Sequence, residues 1–214
     1  MRPVIISALA LALTGCAAGK QLDYMSGTPE FVVRGARSVA VATQDTRPYV
    51  VSGEKTPNFV GIKRGGFGEP FSVRTASGKP LADDFSVTIA RALTQKGFKV
   101  TAVDVTASQT PAEARVLIAR AGVDRLALIS IKEWKSDTPP GNYLGKTELF
   151  YDLALRVYDA SGTELAANKI TGIDQLSFPR EEKDIFLPRG AIRAVYERKL
   201  EELFASDAVV KSLQ

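Results

Sequence analysis

The chain has no histidine and a single cysteine, Cys16, among its 214 residues. Those two shortages exclude much of protein catalysis. Without imidazole there is no Ser-His triad and no Cys-His nucleophile, and without paired thiolates or imidazoles there is no zinc-type site. One cysteine also forbids an intramolecular disulfide, so stability has to come from packing. Any chemistry left to the chain would run on carboxylates, lysines or backbone groups, and neither a metal nor a cofactor is expected. Membrane-length apolar runs are missing too. The run Val4–Leu13 is ten residues, about half of the ~20 that a helix needs to cross the hydrocarbon layer. The formal charge of +4 is not gathered into a basic stripe: Arg198 and Lys199 stand among Glu197, Glu201 and Glu202. A nucleic-acid partner is therefore not expected.

What is present is ordinary globular material, 45% hydrophobic and 24% charged, long enough for one domain with a substantial core. Near the start, Met1 and Arg2 precede the short apolar run, which closes on Leu13-Thr14-Gly15-Cys16. That layout is a signal peptide's apolar region, not a stop-transfer anchor. The four-residue motif resembles the lipobox of bacterial lipoproteins. The resemblance implies cleavage before Cys16, lipid on its sulfur and acylation of the new amino group. Several chains anchor stably, since each buried methylene contributes about 0.8 kcal/mol. The alternative is a plain secretory signal with a chance cysteine. In enterobacteria-like lipoproteins an Asp after the cysteine implies retention in the inner membrane. Ala17 therefore points to the outer membrane, on its periplasmic face. The expected organisation is a signal peptide over 1–15, a lipidated cysteine and tether over 16–36, in which the apolar Phe31, Val32 and Val33 are alternatively an extra strand or a piece docked on the fold, and a periplasmic domain over 37–214.

Within that domain Arg37–Thr43 (RSVAVAT) is a short β-rich segment. Leu81, Phe85, Ile89 and Leu93 recur every four residues, and the spacing predicts a helix over Pro80–Lys96. Pro80 suits its start, Asp83 and Asp84 fall in the first turn where the helix dipole favours anions, and Gly97 suits its stop. Lys99–Val105 reads as a strand, and Thr110–Ala121 as a capped helix with Pro111 near its start and Gly122 at its end. Asp124–Trp134 is apolar on both faces over its first half, as a central strand is. Glu148–Asp159 alternates, with Leu149, Tyr151, Leu153, Leu155 and Val157 on one side and Glu148, Asp152 and Arg156 on the other. A turn at 159–162 allows Thr163–Ile173 to return as a hairpin. A last helix is expected over Pro188–Phe204, on the stripe Ile192, Val195, Tyr196, Leu200 and Leu203. The fold class read from this order is α/β (α+β), a single domain with a mixed sheet of about five strands and two or three packed helices, β-α-β-α-β-β-β-α.

Two segments break the alternation, the glycine-rich insertion 44–79 and the charged, aromatic connection Leu176–Leu187. Structureless connections beyond about 12–15 residues are uncommon in compact domains and are often functional. Gly61–Gly68 (GIKRGGFG) is not G-x-G-x-x-G and opens no helix, so a glycine turn or hairpin tip outweighs a phosphate loop. Gly141–Thr147 (GNYLGKT) is one residue short of a P-loop and runs into a strand-like segment. Ser52 and Lys55 match S-x-x-K by spacing alone, with neither S-D-N nor K-T-G in the chain. Asp83 and Asp84, neighbours on a helix, point about 100° apart and do not form an acid pair. The residues of the insertion best suited to recognition are Arg47, Tyr49, Phe59, Arg64, Phe67 and Phe71, since aromatics and arginines are enriched at binding hot spots. The competing reading has the phenylalanines pinning the loop to the sheet. Trp134 is read as a plug at the edge of the core.

The segments RSVAVATQDTRP, LADDFSVTIARALTQKGFKV and YDLALRVYDASGTELAANKITG, set behind a lipobox, resemble envelope lipoproteins of the YajG kind. More loosely they resemble TolB amino-terminal-domain-like and LpoB-like periplasmic modules. YajG-like proteins offer no catalytic residues to carry over, and LpoB-like modules imply a protein-binding activator of a cell-wall synthase. The insertion 44–79 departs from the short connection expected of them. The expectation is an outer-membrane-anchored periplasmic lipoprotein that is not an enzyme, an adaptor or accessory to another envelope protein. The alternatives are a small-ligand or glycan-binding module and, third, a cell-wall hydrolase.

Overall fold

One strand in this computed structural model holds three partners, and the rest of the fold follows from it. The structure describes residues 21–65, 67–103, 110–139, 146–177 and 189–214. In chain order its elements are β1 (Gln21–Leu22), β2 (Ser38–Asp45), α1 (Pro48–Val51), β3 (Phe59–Arg64), β4 (Pro70–Thr75), α2 (Leu81–Gln95) and β5 (Lys99–Ala102). They continue with α3 (Pro111–Ala121), β6 (Arg125–Thr138), β7 (Lys146–Asp159), β8 (Glu164–Ser177), α4 (Arg189–Phe204) and α5 (Asp207–Leu213). The long strand is β6. Along one edge it pairs antiparallel with β7, which pairs antiparallel with β8. Along the other edge two strands follow each other: β2 runs parallel to it from Val39–Arg125 to Asp45–Ile131, and β3 from Gly61–Ser136 to Lys63–Thr138. Outside β2 lies β5, and outside β3 lie β4 and then β1.

The local signals act as elementary helix chemistry requires. Helix α3 is closed at its start by a capping box, with the Thr110 hydroxyl accepting from the Glu113 N–H and the Glu113 side chain accepting from the Thr110 N–H. It stops at Gly122, whose φ of 63° is left-handed and costs glycine little. Helix α2 buries Leu81, Phe85, Ile89 and Leu93, the stripe read from the sequence.

The two faces of the sheet differ. Val39 and Val41 of β2, Ile129, Ile131 and Trp134 of β6, and Leu149, Leu153 and Leu155 of β7 face α2, α4 and α5 across the main core. A bulge between Ile131 and Glu133 shifts the alternation, so even-numbered residues of β6 point inward beyond it. On the opposite face α3 packs, setting Ala114 and Ile118 over Ala40, Ala42, Leu126, Leu128 and Tyr158. Beyond α3 that outer face is open among the described residues.

Three expectations are corrected. The described residues form eight strands and five helices, not about five strands and two or three helices. The insertion 44–79 is not structureless: it completes β2 and then forms α1 and the β3–β4 hairpin, whose alternation is obscured by its glycines. The stretch expected to be a tether joins the fold from Gln21 on, because it can bury large side chains there. Leu22, Tyr24, Phe31 and Val33 are buried, Phe31 stacks on Phe204 with centroids 4.4 Å apart, and the Thr88 hydroxyl donates to the Tyr24 carbonyl at 2.9 Å. Cys16 and the motif Leu13-Thr14-Gly15 lie outside the described residues, as do Gly141–Gly145 and most of Leu176–Leu187.

Candidate interaction surface

The six residues singled out in the insertion separate into a buried root and an exposed tip. Between the end of β2 at Asp45 and the start of β3 at Phe59, one edge of β6 has no strand beside it. Arg47 occupies the gap. Its guanidinium grips Asp45 with two bonds of 2.8 and 2.6 Å and donates to the carbonyls of Phe59 at 2.6 Å, Trp134 at 3.2 Å and Pro57 at 3.1 Å. It is fully buried. Burial alone would lower its pKa, but Asp45 and Tyr49 hold it above the ordinary arginine value. The Tyr49 hydroxyl donates to Glu133 Oε1 at 2.5 Å, and its ring meets Phe59 edge-on at 5.6 Å. Burial, then the Glu133 carboxylate, pushes that phenol well above its usual range. Arg47 and Phe59 are thus removed from the expected recognition surface, and Phe59 takes the pinning role.

Arg64, Phe67 and Phe71 stand at the other end of the hairpin. Phe67 is fully exposed at 101% of its reference area, and Phe71 retains 37%. The turn between them is set by the Gly65 N–H to Glu69 O bond at 2.9 Å, by Glu69 Oε2 accepting from the Phe67 N–H at 3.0 Å, and by Gly68 at a φ of 89°. The glycine run is therefore a hairpin tip. Arg64 donates two hydrogen bonds to Asp137, Nε to Oδ1 at 3.2 Å and Nη2 to Oδ2 at 3.1 Å, which tie the hairpin to the end of β6. Asp137 holds its pKa partner up in turn, the hydrogen bond first and the charge second.

Beside this pair opens a cleft of about 380 Å³ between Arg64, Asp137, Lys146, Thr147, Glu148 and Gln175. Asp137 and Glu148 are register partners on β6 and β7. As register partners on neighbouring strands they share one face of the sheet. No group of three potential metal ligands occurs among the described residues. Ser52 is the C-cap of α1, and Lys55 pairs with Glu54 at 3.6 Å, so the S-x-x-K spacing does not sit on a helical turn.

Two other expectations resolve in the core. Trp134 is fully buried at its centre, not its edge, packed edge-on against Tyr24, Phe85 and Tyr196 at 5.5–5.9 Å. Asp83 and Asp84 both lie in the first turn of α2, but Asp84 is completely buried. Neither of its carboxylate oxygens meets a close hydrogen-bond donor among the described residues, and burial, opposed in part by the nearby Ser77, pushes it up to about 6.

No family model and no curated protein sequence matches the chain. Its fold is similar to that of protein XCC0632 from Xanthomonas campestris, described as DUF330, at a TM-score of 0.51 and 15% identity over 87% of this chain and 93% of that one. Looser similarity extends to the LpoB C-terminal domain from Salmonella enterica, at a TM-score of 0.32 and 15% identity over 69% and 88% of the two chains. The lipoprotein GNA1162 from Neisseria meningitidis also scores 0.32, at 10% identity over 79% and 99%. The first of these places the chain in a fold shared with the DUF330 protein.

Proposed function

We propose that the protein is a noncatalytic envelope lipoprotein, held by lipid at Cys16 to the periplasmic face of the outer membrane, that binds another envelope protein through the β3–β4 hairpin. The observation that carries this reading is the exposure of Phe67 and Phe71 on a hairpin whose root is locked by Arg47 and whose tip is fixed by Arg64–Asp137. Exposed aromatics beside an arginine are the residue types on which binding anchors are built. No helix among the described residues is long and apolar enough to cross a membrane. Restriction to the membrane plane raises the effective concentration of such a module for a partner in the same layer.

The test is in-cell crosslinking of the full lipoprotein followed by mass spectrometry, beside a variant carrying Arg64→Ala, Phe67→Ala and Phe71→Ala. A specific envelope protein captured by the parent and lost from the variant is the expected result. Capture unchanged in the variant, or no specific capture, overturns the hairpin as the interface. A second reading, a small-ligand or glycan-binding lipoprotein, is favoured by the 380 Å³ cleft and its converging polar groups.

A further inference from the structure

Where α3 ends, the outer face of the sheet dips. The dip is a groove of about 240 Å³ lined by Gln44 and Thr46 of the β2 edge, Leu128, Ser130 and Lys132 of β6, and Ala154 and Arg156 of β7. Its origin is in the register. Gln44 faces Ser130, Ser130 faces Ala154, and Leu128 faces Arg156, so two small side chains lie side by side with long ones to either hand. The bulge at Lys132 turns the end of this row toward solvent.

The groove has an unusual donor inventory. Gln44 is 6% exposed, yet its Nε2 has no hydrogen-bond partner among the described residues, while its Oε1 accepts a long bond from the Ser130 hydroxyl at 3.5 Å. A buried amide nitrogen without a partner is a costly arrangement that a ligand's acceptor would relieve. Lys132 is exposed and makes no ion pair among the described residues. Arg156 meets only Glu164, at 3.7 Å, with both side chains about half exposed, a pair weak enough to be given up for a better acceptor. No carboxylate lines the groove among the described residues. An amide, a hydroxyl, an ammonium and a guanidinium therefore surround one depression from three strands.

We propose that this groove is a binding site for a phosphoryl group. Donors arriving from β2, β6 and β7 suit a ligand with three terminal oxygens better than a planar carboxylate, and arginine adds the two-pronged geometry that phosphate favours. The site is independent of the hairpin and does not rest on the adaptor reading. Free phosphate and the headgroup of an anionic phospholipid share this chemistry.

The experiment is ¹⁵N NMR of the full chain in dodecyl maltoside micelles, following the Gln44 side-chain amide. One arm titrates inorganic phosphate and the other titrates short-chain phosphatidylglycerol, with short-chain phosphatidylcholine as the zwitterionic control. Saturable shifts of the Gln44 amide with phosphate, or with phosphatidylglycerol but not phosphatidylcholine, support the site, and the responding arm names the source. Lys132→Gln with Arg156→Gln should weaken the response about tenfold or more. Both replaced side chains are exposed, and the remaining resonances report whether the fold is kept. No shift in either arm, or a response unchanged in the double variant, overturns the proposal.

Discussion

The Arg47 guanidinium donates to the Trp134 carbonyl at 3.2 Å, on the stretch of β6 that neither β2 nor β3 reaches. One side chain thus does what a strand's backbone would otherwise do, satisfying carbonyls from Pro57, Phe59 and Trp134 while its charge is met by Asp45. Arg47→Met should remove all of this at once and leave a nearly buried carboxylate without its cation. The expected loss is about 3–5 kcal/mol of stability in urea unfolding. Arg47→Lys should recover only part, because one ammonium cannot reach carbonyls on three sides. A loss below about 1 kcal/mol for the methionine variant would show that the gap closes without the arginine.

Close approach of β3 to β6 depends on Gly61. A Cβ at that position would overlap Ser136 Oγ and come within 2.7 Å of the Ser136 carbonyl oxygen. Gly61→Ala should therefore cost about 1–3 kcal/mol, as overpacking in a tight interior does. Adding Ser136→Gly should return part of that loss, since it clears the hydroxyl but not the carbonyl. Equal stability for the parent and Gly61→Ala in thermal unfolding would refute the packing argument.

Phe67 supplies the opposite case. Its ring is fully exposed and holds nothing in the core, so Phe67→Ser should change stability by less than about 0.5 kcal/mol. The same substitution should reduce partner capture in the crosslinking assay at least severalfold. A variant that unfolds more readily and captures as well as the parent would make the ring structural.

These cases also mark where the sequence was readable. The helices α2 and α3 were legible because their signals are local: a four-residue stripe, a capping Thr110 and a terminal Gly122. The polar face of β7 could be read directly from Glu148, Asp152 and Arg156. The role of Arg47 was not, because its partners are carbonyls brought together by two strands that meet on a third. The β3–β4 hairpin was hidden by glycines that weaken the alternation of Val60, Ile62, Phe71 and Val73. Gln44 escaped notice because the apolar run of β2 ends at Thr43, one residue before the side chain that faces the groove. Residues 21–33 carry Tyr24 and Phe31, whose burial depends on Tyr196 and Phe204 more than 170 positions away.

Asp84 gives the fold a pH dependence whose sign can be worked out. Its carboxyl is fully buried and meets no close hydrogen-bond donor among the described residues, and burial, opposed in part by the nearby Ser77 and helped by the charges of Asp23 and Asp83, pushes it up to about 6 from an ordinary value of 3.8. The folded state therefore binds the Asp84 proton more tightly than the unfolded chain does. Below about pH 3.8 both states are protonated at this site and it contributes no pH dependence. Between about 3.8 and 6 the unfolded chain releases its proton first, so stability falls as pH rises, by up to about 1.4 kcal/mol per unit. Above about 6 the carboxylate is charged in both states, and the full penalty, about 3 kcal/mol at most, persists. Asp84→Asn keeps the shape and cannot ionise. Its stability relative to the parent should be near constant below pH 4, rise through the window from 4 to 6, and level off above it, as read from urea midpoints across pH. Carboxylates such as Asp124 and Asp159, held low by hydrogen bonds from Ser38 and Ser161, are common to both proteins and cancel in the difference. A difference that stays flat from pH 4 to 7 would mean that the Asp84 charge is solvated in the folded protein.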